Sequence, residues 1–519
     1  MTEITIAWIA LPFFIGFVIY LFPQLDRWLA LTVALVSAVY TAIIFLQPDP
    51  LEIQLLDNFG VSLIVDRLSG FFILTNALVT AAVVIYCWSS GKIASLGQHS
   101  LAAETAAGSD RFFYMQAIIL HGSVNATFVS ADFISLYVAL EVISIATFLL
   151  IAYPRSDRSI WVGLRYLFVS NTAMLFYLVG ALLVYKANNS FYYGGLSHSP
   201  PEAVALVFLG LLAKGGIFVS GLWLPLTHSE SLSPVSAMMS GVVVKAGVFP
   251  MVRCALLLAE LDPVVRFFGV GTALLGVGYA VFEKDTKRML AFHTISQLGF
   301  VLAAPVVAGF YALTHGLVKS ALFLIAGILP SRSFKELQHQ PIERQIWIAL
   351  VIASFSISGF PLLSGFGAKV LTTKNLLPWQ VVGMNIAALG TAISFAKFIF
   401  LPHGKLASQP DEIVKVTGGI EEKGDSKKKI SSGFWWAMVI LLGGLIAANV
   451  FYYEAYTLKN TVKPLLTIFI GWLAYLLIFK KLAIKLPRAI EKFDHLIGVM
   501  SLMLILLFWA MWARSGGLL

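Results

Sequence analysis

The chain has 519 residues, of which 59% are hydrophobic and only 12% charged, with a net charge of +9. A soluble domain carries about 45–50% apolar and about 25% charged residues, so these values exclude an ordinary soluble enzyme and describe a multi-pass membrane protein. The positive excess does not point to nucleic acid, because it sits in short loops between apolar runs, where the positive-inside rule accounts for it.

A membrane span needs about 20 apolar residues. In chain order, sixteen stretches qualify, near 4–22, 28–47, 68–88, 112–129, 132–153, 161–185, 202–223, 234–256, 263–282, 289–308, 310–330, 345–370, 379–402, 434–453, 463–480 and 495–514. Residues 4–21 have no basic segment before them, so they are expected to remain as the first transmembrane helix rather than act as a cleaved signal. Barrel-style alternation is missing, which leaves helices as the spanning element and an all-α fold. The loops after odd-numbered spans are basic or mixed, as in PRSDR at 154–158, EKDTKR at 283–288 and KKLAIKLPRAIEK at 480–492. Those after even-numbered spans, such as QPDPLEIQLLDN at 47–58, are acidic or neutral. That asymmetry predicts both termini on the non-cytoplasmic side. The chain divides into N-terminal helices 1–111, a repeat at 112–256, a second at 257–402, a polar cytoplasmic loop at 403–432 and C-terminal helices 433–519. The loop reads as a solvated connector or a docking surface.

Several spans carry charge where an ionised side chain costs about 2.5–3.5 kcal/mol even on a lenient scale. Glu141 lies in the middle of 133–153, and Lys214, Lys245, Lys319 and Lys369 lie in other apolar stretches. A chain with one acid and several lysines at that depth is expected to move charge. Lys214 sits in LLAKGGIFVSGLWLPLTHSESLSPVSA, where Gly215, Gly216 and Gly221 weaken the helix and Pro225 with Pro234 interrupts it. Lys245 is central in SGVVVKAGVFPMVR, and His228 falls in the polar LTHSES link, where it reads as a proton shuttle or as a simply solvated loop histidine. AFHTISQLGF buries His293, and ALTHGLVKSALFL places His315 and Lys319 at i, i+4 on one helix face. SISGFPLLSGFGAKVL is a second Gly/Pro-broken segment, with Lys369 beyond its break. Two broken segments with lysines in corresponding places predict inverted repeats around a membrane-centre path. No phosphate-binding loop, dinucleotide fingerprint, iron–sulfur cysteine cluster or metal spacing is visible, so no cofactor is expected, and the chain is not read as an enzyme by itself.

The stretches LYVALEVISIATFLLI at 136–151, the 213–249 segment, KDTKRMLAFHTISQLGF at 284–300, THGLVKSALFLIAG at 314–327 and SGFPLLSGFGAK at 358–369 resemble the antiporter-like membrane subunits shared by respiratory complex I and the Mrp-type cation/proton antiporters. The resemblance implies a fourteen-helix core with two inverted five-helix repeats, to which this chain adds two C-terminal spans. It implies Glu141 as the essential glutamate paired with Lys214, Lys245 as the connecting lysine, His315 and Lys319 as the second-half relay, and Lys369 as the terminal lysine. Tyr311 stands where many members have a histidine, and Leu226 where some have an acid. The D-type subunit of an Mrp antiporter is the nearest likeness, because the segment 480–492 is too short for the long surface helix of the largest complex I members. The implied function is a proton-translocating subunit of a multi-subunit Na⁺/H⁺ antiporter in the plasma (inner) or another energy-transducing membrane, with other membrane subunits as partners. The alternatives are a proton-pumping subunit of an NAD(P)H–quinone oxidoreductase and a proton-conducting subunit of an inorganic-carbon uptake system.

Overall fold

The computed structural model describes residues 1–56, 59–89, 93, 110–404, 430–482, 484 and 486–515. The expected boundary near 88–112 and most of the polar loop at 403–432 lie outside these residues. The first helices are α1 (Thr2–Leu21), α2 (Asp26–Leu46), α3 (Arg67–Trp88), α4 (Asp110–Val129), α5 (Phe133–Ile151) and α6 (Asp157–Asn188). The broken segment follows as α7 (Pro201–Gly215) and α8 (Leu224–Glu230), then α9 (Ser233–Met238) and α10 (Lys245–Leu257). The second half holds α11 (Asp262–Phe282), α12 (Thr286–Ala303), α13 (Ala308–Ala326), the second broken pair α14 (Arg344–Ser358) and α15 (Ser364–Lys374), and α16 (Gln380–Ile399). The chain closes with α17 (Ser432–Val450), α18 (Leu458–Ala474) and α19 (Phe493–Ser515).

Each of the sixteen expected spans coincides with one of these helices or broken pairs. Fourteen are long and apolar enough to cross a membrane. The other two are α12, which carries Lys287, Arg288, His293 and Gln297, and the pair α14–α15, which is divided by its break. The protein is an all-α, multi-pass integral membrane protein. The one sizeable departure from helix among the described residues is a hairpin, β1 (Leu51–Leu56) with β2 (Gly60–Val65), in the connection read as a plain loop.

Side chains at the loop ends fix where helices begin. Asp66, Asp132, Ser156 and Asp285 each accept a hydrogen bond from the amide three residues on, satisfying one of the open donors of a helix N-terminus. Asp132 also accepts from the Ser62 amide at 2.8 Å, pinning the hairpin onto α5. Asp66 is clamped by both terminal nitrogens of Arg253 on α10. Burial alone would raise the Asp66 carboxyl, but the guanidinium and the Ser69 amide outweigh it and hold it below the usual carboxylate range.

The prolines expected to interrupt the first broken segment instead begin helices, Pro225 in α8 and Pro234 in α9. The break itself is a left-handed glycine, Gly216 (φ 69°), and the second break uses Gly359 (φ 85°). In both, the following amide reaches back five residues: Ile217 N to Leu212 O and Phe360 N to Phe355 O, each 2.9 Å. This is the Schellman geometry, which needs a residue without Cβ strain at the left-handed position. A bulky left-handed residue follows each, Phe218 (φ 52°) and Leu362 (φ 79°), at a cost of about 1–3 kcal/mol. Such strain persists only where the surrounding packing holds it.

Burial orders the helices. The α9–α10 span is wholly buried and the α13 span 89% buried, whereas the α18 span is 17% buried and lies at the edge. The helices that carry Lys245, His315 and Lys319 therefore lie in the interior, and α18 lies at the edge. The last helix, α19, packs back on α7. It is latched by Glu491, whose carboxylate takes Arg288 at 2.7 and 2.9 Å and whose carbonyl takes Arg165. Glu283 completes the cluster with Arg288 at 3.1 Å and Arg488 at 3.2 Å. Burial again opposes ionisation, and Arg288 together with the Lys284 and Asp285 amides holds Glu283 below its ordinary value.

Candidate functional site

Lys214 is the penultimate residue of α7, two before the left-handed Gly216, so the break fixes where its side chain can go. It is 2% exposed. Its Nζ donates to Ser144 Oγ on α5 at 2.5 Å and to Ser170 Oγ on α6 at 3.0 Å, and it lies 5.7 Å from the Tyr166 ring. Trp223 donates at 3.0 Å to the Ala213 carbonyl, which also accepts the Gly216 amide, and closes the break from the other side. Glu141 sits on α5 one turn before Ser144. It interacts electrostatically with Lys214, yet no ion pair within 4.0 Å joins them. The expected Glu141–Lys214 pair is therefore not closed, because the two serine hydroxyls occupy the ammonium, and Glu141 itself is only half buried.

Lys245 opens α10 directly after a π-helical turn at Met239–Val243. That wider turn leaves backbone carbonyls free, and Lys245 Nζ takes Ser240 O at 3.3 Å and Gly241 O more closely. Single π-turns of this kind recur at functional sites. Gly215 and Gly247 pack backbone to backbone, which brings the Lys214 break against the Lys245 helix. On the other side Lys245 meets α13 at Gly316, where an added Cβ would stand 3.5 Å from its Nζ.

His315 and Lys319 share a face of α13 as expected. His315 feels the charges of both Lys245 and Lys319. Lys319 Nζ donates to the Leu290 carbonyl on α12 and lies 5.0 Å from the Phe323 ring. His293, one turn beyond Leu290, is buried and within electrostatic reach of Lys319 and Lys369. A cavity of about 10 Å³, close to the least that holds one water, joins His315 to Lys369 and is lined by Gln297, Tyr311, Thr314 and Ser356. Tyr311 donates to Gln297 at 2.7 Å, so both polar groups are joined at the wall of this cavity. Lys369 Nζ donates to Ser358 O at 3.1 Å, a carbonyl freed by the second break.

His228 corrects the expectation drawn from its polar neighbours. It is fully buried in α8, not a solvated link, and its ring stacks on Phe323 at 4.7 Å, the same ring that Lys319 faces. The ring nitrogens of His228, His293 and His315 find no hydrogen-bond partner among the described residues. Buried polar groups are normally satisfied by protein or ordered water, so water is their expected partner. None of Lys214, Lys245, Lys319 or Lys369 makes an ion pair among the described residues; hydroxyls, carbonyls and aromatic rings hold all four.

Two features escaped the sequence. The Ser144–Ser170–Tyr166 cradle is assembled from two helices, and only the i, i+3 spacing of Glu141 and Ser144 hinted at it. Lys397 on α16 donates to Ala280 O at 3.2 Å and Glu283 O at 2.8 Å, capping the end of α11; its place near a span end hid it.

Known proteins resemble this chain in sequence and in fold. The NADH:quinone oxidoreductase/Mrp antiporter transmembrane family model matches residues 130–394. The D-type subunit of the Na(+)/H(+) antiporter from Alkalihalophilus pseudofirmus is 26% identical over 407 residues, covering 71% of this chain and 80% of that protein. The N-type subunit of the NADH-quinone oxidoreductase from Desulforudis audaxviator is 28% identical, covering 68% and 74%. A chain of the Mrp complex from Dietzia sp. DQ12-45-1b superposes with a TM-score of 0.66 at 19% identity, covering 96% of this chain and all of that one. A chain of an archaeal membrane-bound sulfane sulfur reductase reaches 0.70 at 19% identity, covering 92% and all of that chain. The matched region runs from just before α5 into α16 and contains both breaks and every candidate residue from Glu141 to Lys369, and the chain belongs to the NADH:quinone oxidoreductase/Mrp antiporter transmembrane family.

Proposed function

We propose that the chain is a proton-translocating subunit of a multi-subunit, Mrp-type Na⁺/H⁺ antiporter. The observation that carries this reading is the buried row Lys214, Lys245, His315 and Lys319, with half-buried Lys369 at its end. It runs from one break to the other without a carboxylate in contact among the described residues. A charge buried without a partner is strongly unfavourable, so such a row favours proton occupancy that redistributes along it over occupancy that is fixed. The four lysines have hydroxyl or carbonyl acceptors that suit a protonated amine, and in the middle of the row Lys245, His315 and Lys319 lie close enough that charge on one opposes charge on the next. Protons arriving at one end would displace charge along the row in sequence.

In this reading Glu141 faces partly out of the chain because an adjoining membrane subunit covers it. The likeness to the D-type antiporter protein supports such partners, and the loop charges support both termini on the non-cytoplasmic side. The repeats are taken as 112–256 and 257–402, each containing one Schellman break. His228 and His293 are taken as side stations beside Lys319.

The likeness to a component of an NADH-quinone oxidoreductase favours a second reading, a redox-driven pump module. One experiment separates them. The tagged chain is purified in mild detergent with its partners, the partners are identified by mass spectrometry, and proton flux is measured in proteoliposomes. Membrane subunits without redox proteins, Na⁺-dependent flux, and loss of that flux in Lys214→Gln with the assembly intact are the expected results. Iron–sulfur partners would select the second reading, and full flux in Lys214→Gln would overturn both.

A further inference from the structure

Beyond Lys369 the path opens into a cavity of about 470 Å³ between α15, α16 and α18. Its lining includes Lys369, Lys374, Lys459 and Lys463, and none of its lining residues is acidic. Two of these lysines come from the first two turns of α18, one of the two helices beyond the core. Lysines at a span end usually reach outward to the interface; here they line the same hollow as an inward-facing lysine. Lys374, Lys459 and Lys463 are exposed and Lys369 is half-buried, so the four concentrate positive potential at this hollow and favour an anion there.

Two further observations point to a ligand. Ser358 is 5% exposed, lines the cavity, and its hydroxyl has no hydrogen-bond partner among the described residues. The α18 N-terminus also opens here, with Thr457 in the lining, and a helix N-terminus favours anions. Asn385 adds neutral hydrogen-bonding capacity.

We infer that this cavity binds a phosphate-type oxyanion, through Lys374, Lys459 and Lys463 with Ser358 at its floor. The anion is either the headgroup of an acidic phospholipid or free in solution. The geometry favours the lipid, because α18 is the least buried span and presents Leu458, Val462 and Leu466 outward beside the cavity. The bound anion supplies the counter-charge that Lys369 lacks among the described residues. The site stands on its own lining; only its influence on Lys369 rests on the proposed relay.

Binding is tested without transport. The native assembly, purified in detergent, is analysed by native mass spectrometry after exposure to phosphatidylglycerol or phosphatidylcholine, and by thermal melting with inorganic phosphate. Each lysine beside an acidic headgroup is worth roughly fivefold in affinity, so Lys374→Gln/Lys459→Gln/Lys463→Gln should weaken retention about a hundredfold. Lys480→Gln/Lys481→Gln, a loss of exposed charge beyond the far end of α18, should leave retention unchanged. Selective, lysine-dependent retention of phosphatidylglycerol supports the site with a lipid source. Lysine-dependent stabilisation by phosphate alone supports it with a free-anion source. Equal retention of the two lipids with no phosphate effect, or anion binding that survives the triple substitution, overturns it. The outcome does not depend on whether the chain moves protons.

Discussion

Gly316 lies on α13 between His315 and Lys319, and its missing side chain lets three helices meet. A Cβ placed there would overlap Thr75 Cγ2 on α3 and stand 3.0 Å from the Gly241 carbonyl, which itself accepts the Lys245 ammonium. Relief requires the Gly241 contact to open from 3.0 Å to the 3.4 Å at which ordinary contact begins, and the Thr75 methyl to move further still. Overpacking of this kind costs about 1–3 kcal/mol. A misplacement near 1 Å in a working site can cost about a hundredfold in rate. Gly316→Ala is therefore expected to lower the melting temperature modestly and to reduce proton flux far more than stability, because α13 carries His315 and Lys319 away from Lys245. Thr75→Ala removes the offending methyl at about 1 kcal/mol. The double variant should then be more stable, and transport faster, than the sum of the single effects, with a coupling of about 1 kcal/mol or more. Thermal melting and proteoliposome flux across the four-member cycle measure this. Strict additivity, or a Gly316→Ala protein with normal flux, would refute the view that this contact sets the spacing of the row.

Glu141→Gln should assemble normally yet lose most proton flux, because Glu141 is half buried and closes no ion pair; loss of assembly would instead make it a packing residue. Glu491→Gln should free α19, since removing one partner of a buried ion pair costs about 3–5 kcal/mol; limited trypsin digestion should then cut within 480–492, and an unchanged digest would count against the latch. Asp66 and Glu283 have folded carboxyls below their unfolded values of about 3.9 and 4.3, so their stabilisation is present above those values and is lost as pH falls through the lower folded ones. Melting temperature should be insensitive to these two groups from about pH 5 upward and fall below about pH 4, and Asp66→Asn should flatten that acid limb.

Much of the architecture was legible because a bilayer constrains sequence so strongly. Every backbone polar group must be satisfied inside the span, so sixteen apolar stretches could only be helices, and a lysine in the middle of one had to be accounted for. The identity of Lys214, Lys245, Lys319 and Lys369 as interior groups needed no more than their position in an apolar run. His315 needed only its i, i+4 spacing from Lys319.

What the sequence could not decide depended on contacts between distant residues. Pro225 and Pro234 looked like the breaks, but the left-handed Gly216 is the break, because the Schellman bond from Ile217 to Leu212 satisfies the open carbonyls and lets proline begin the next helix. Glu141 looked like the direct partner of Lys214 until Ser144 and Ser170 proved to hold it. His228 looked solvated among LTHSES, yet Phe323, nearly a hundred residues away, covers it. Local sequence fixes periodicity, caps and the cost of a charge in lipid; which acceptor meets that charge is decided only when helices far apart in the chain pack together.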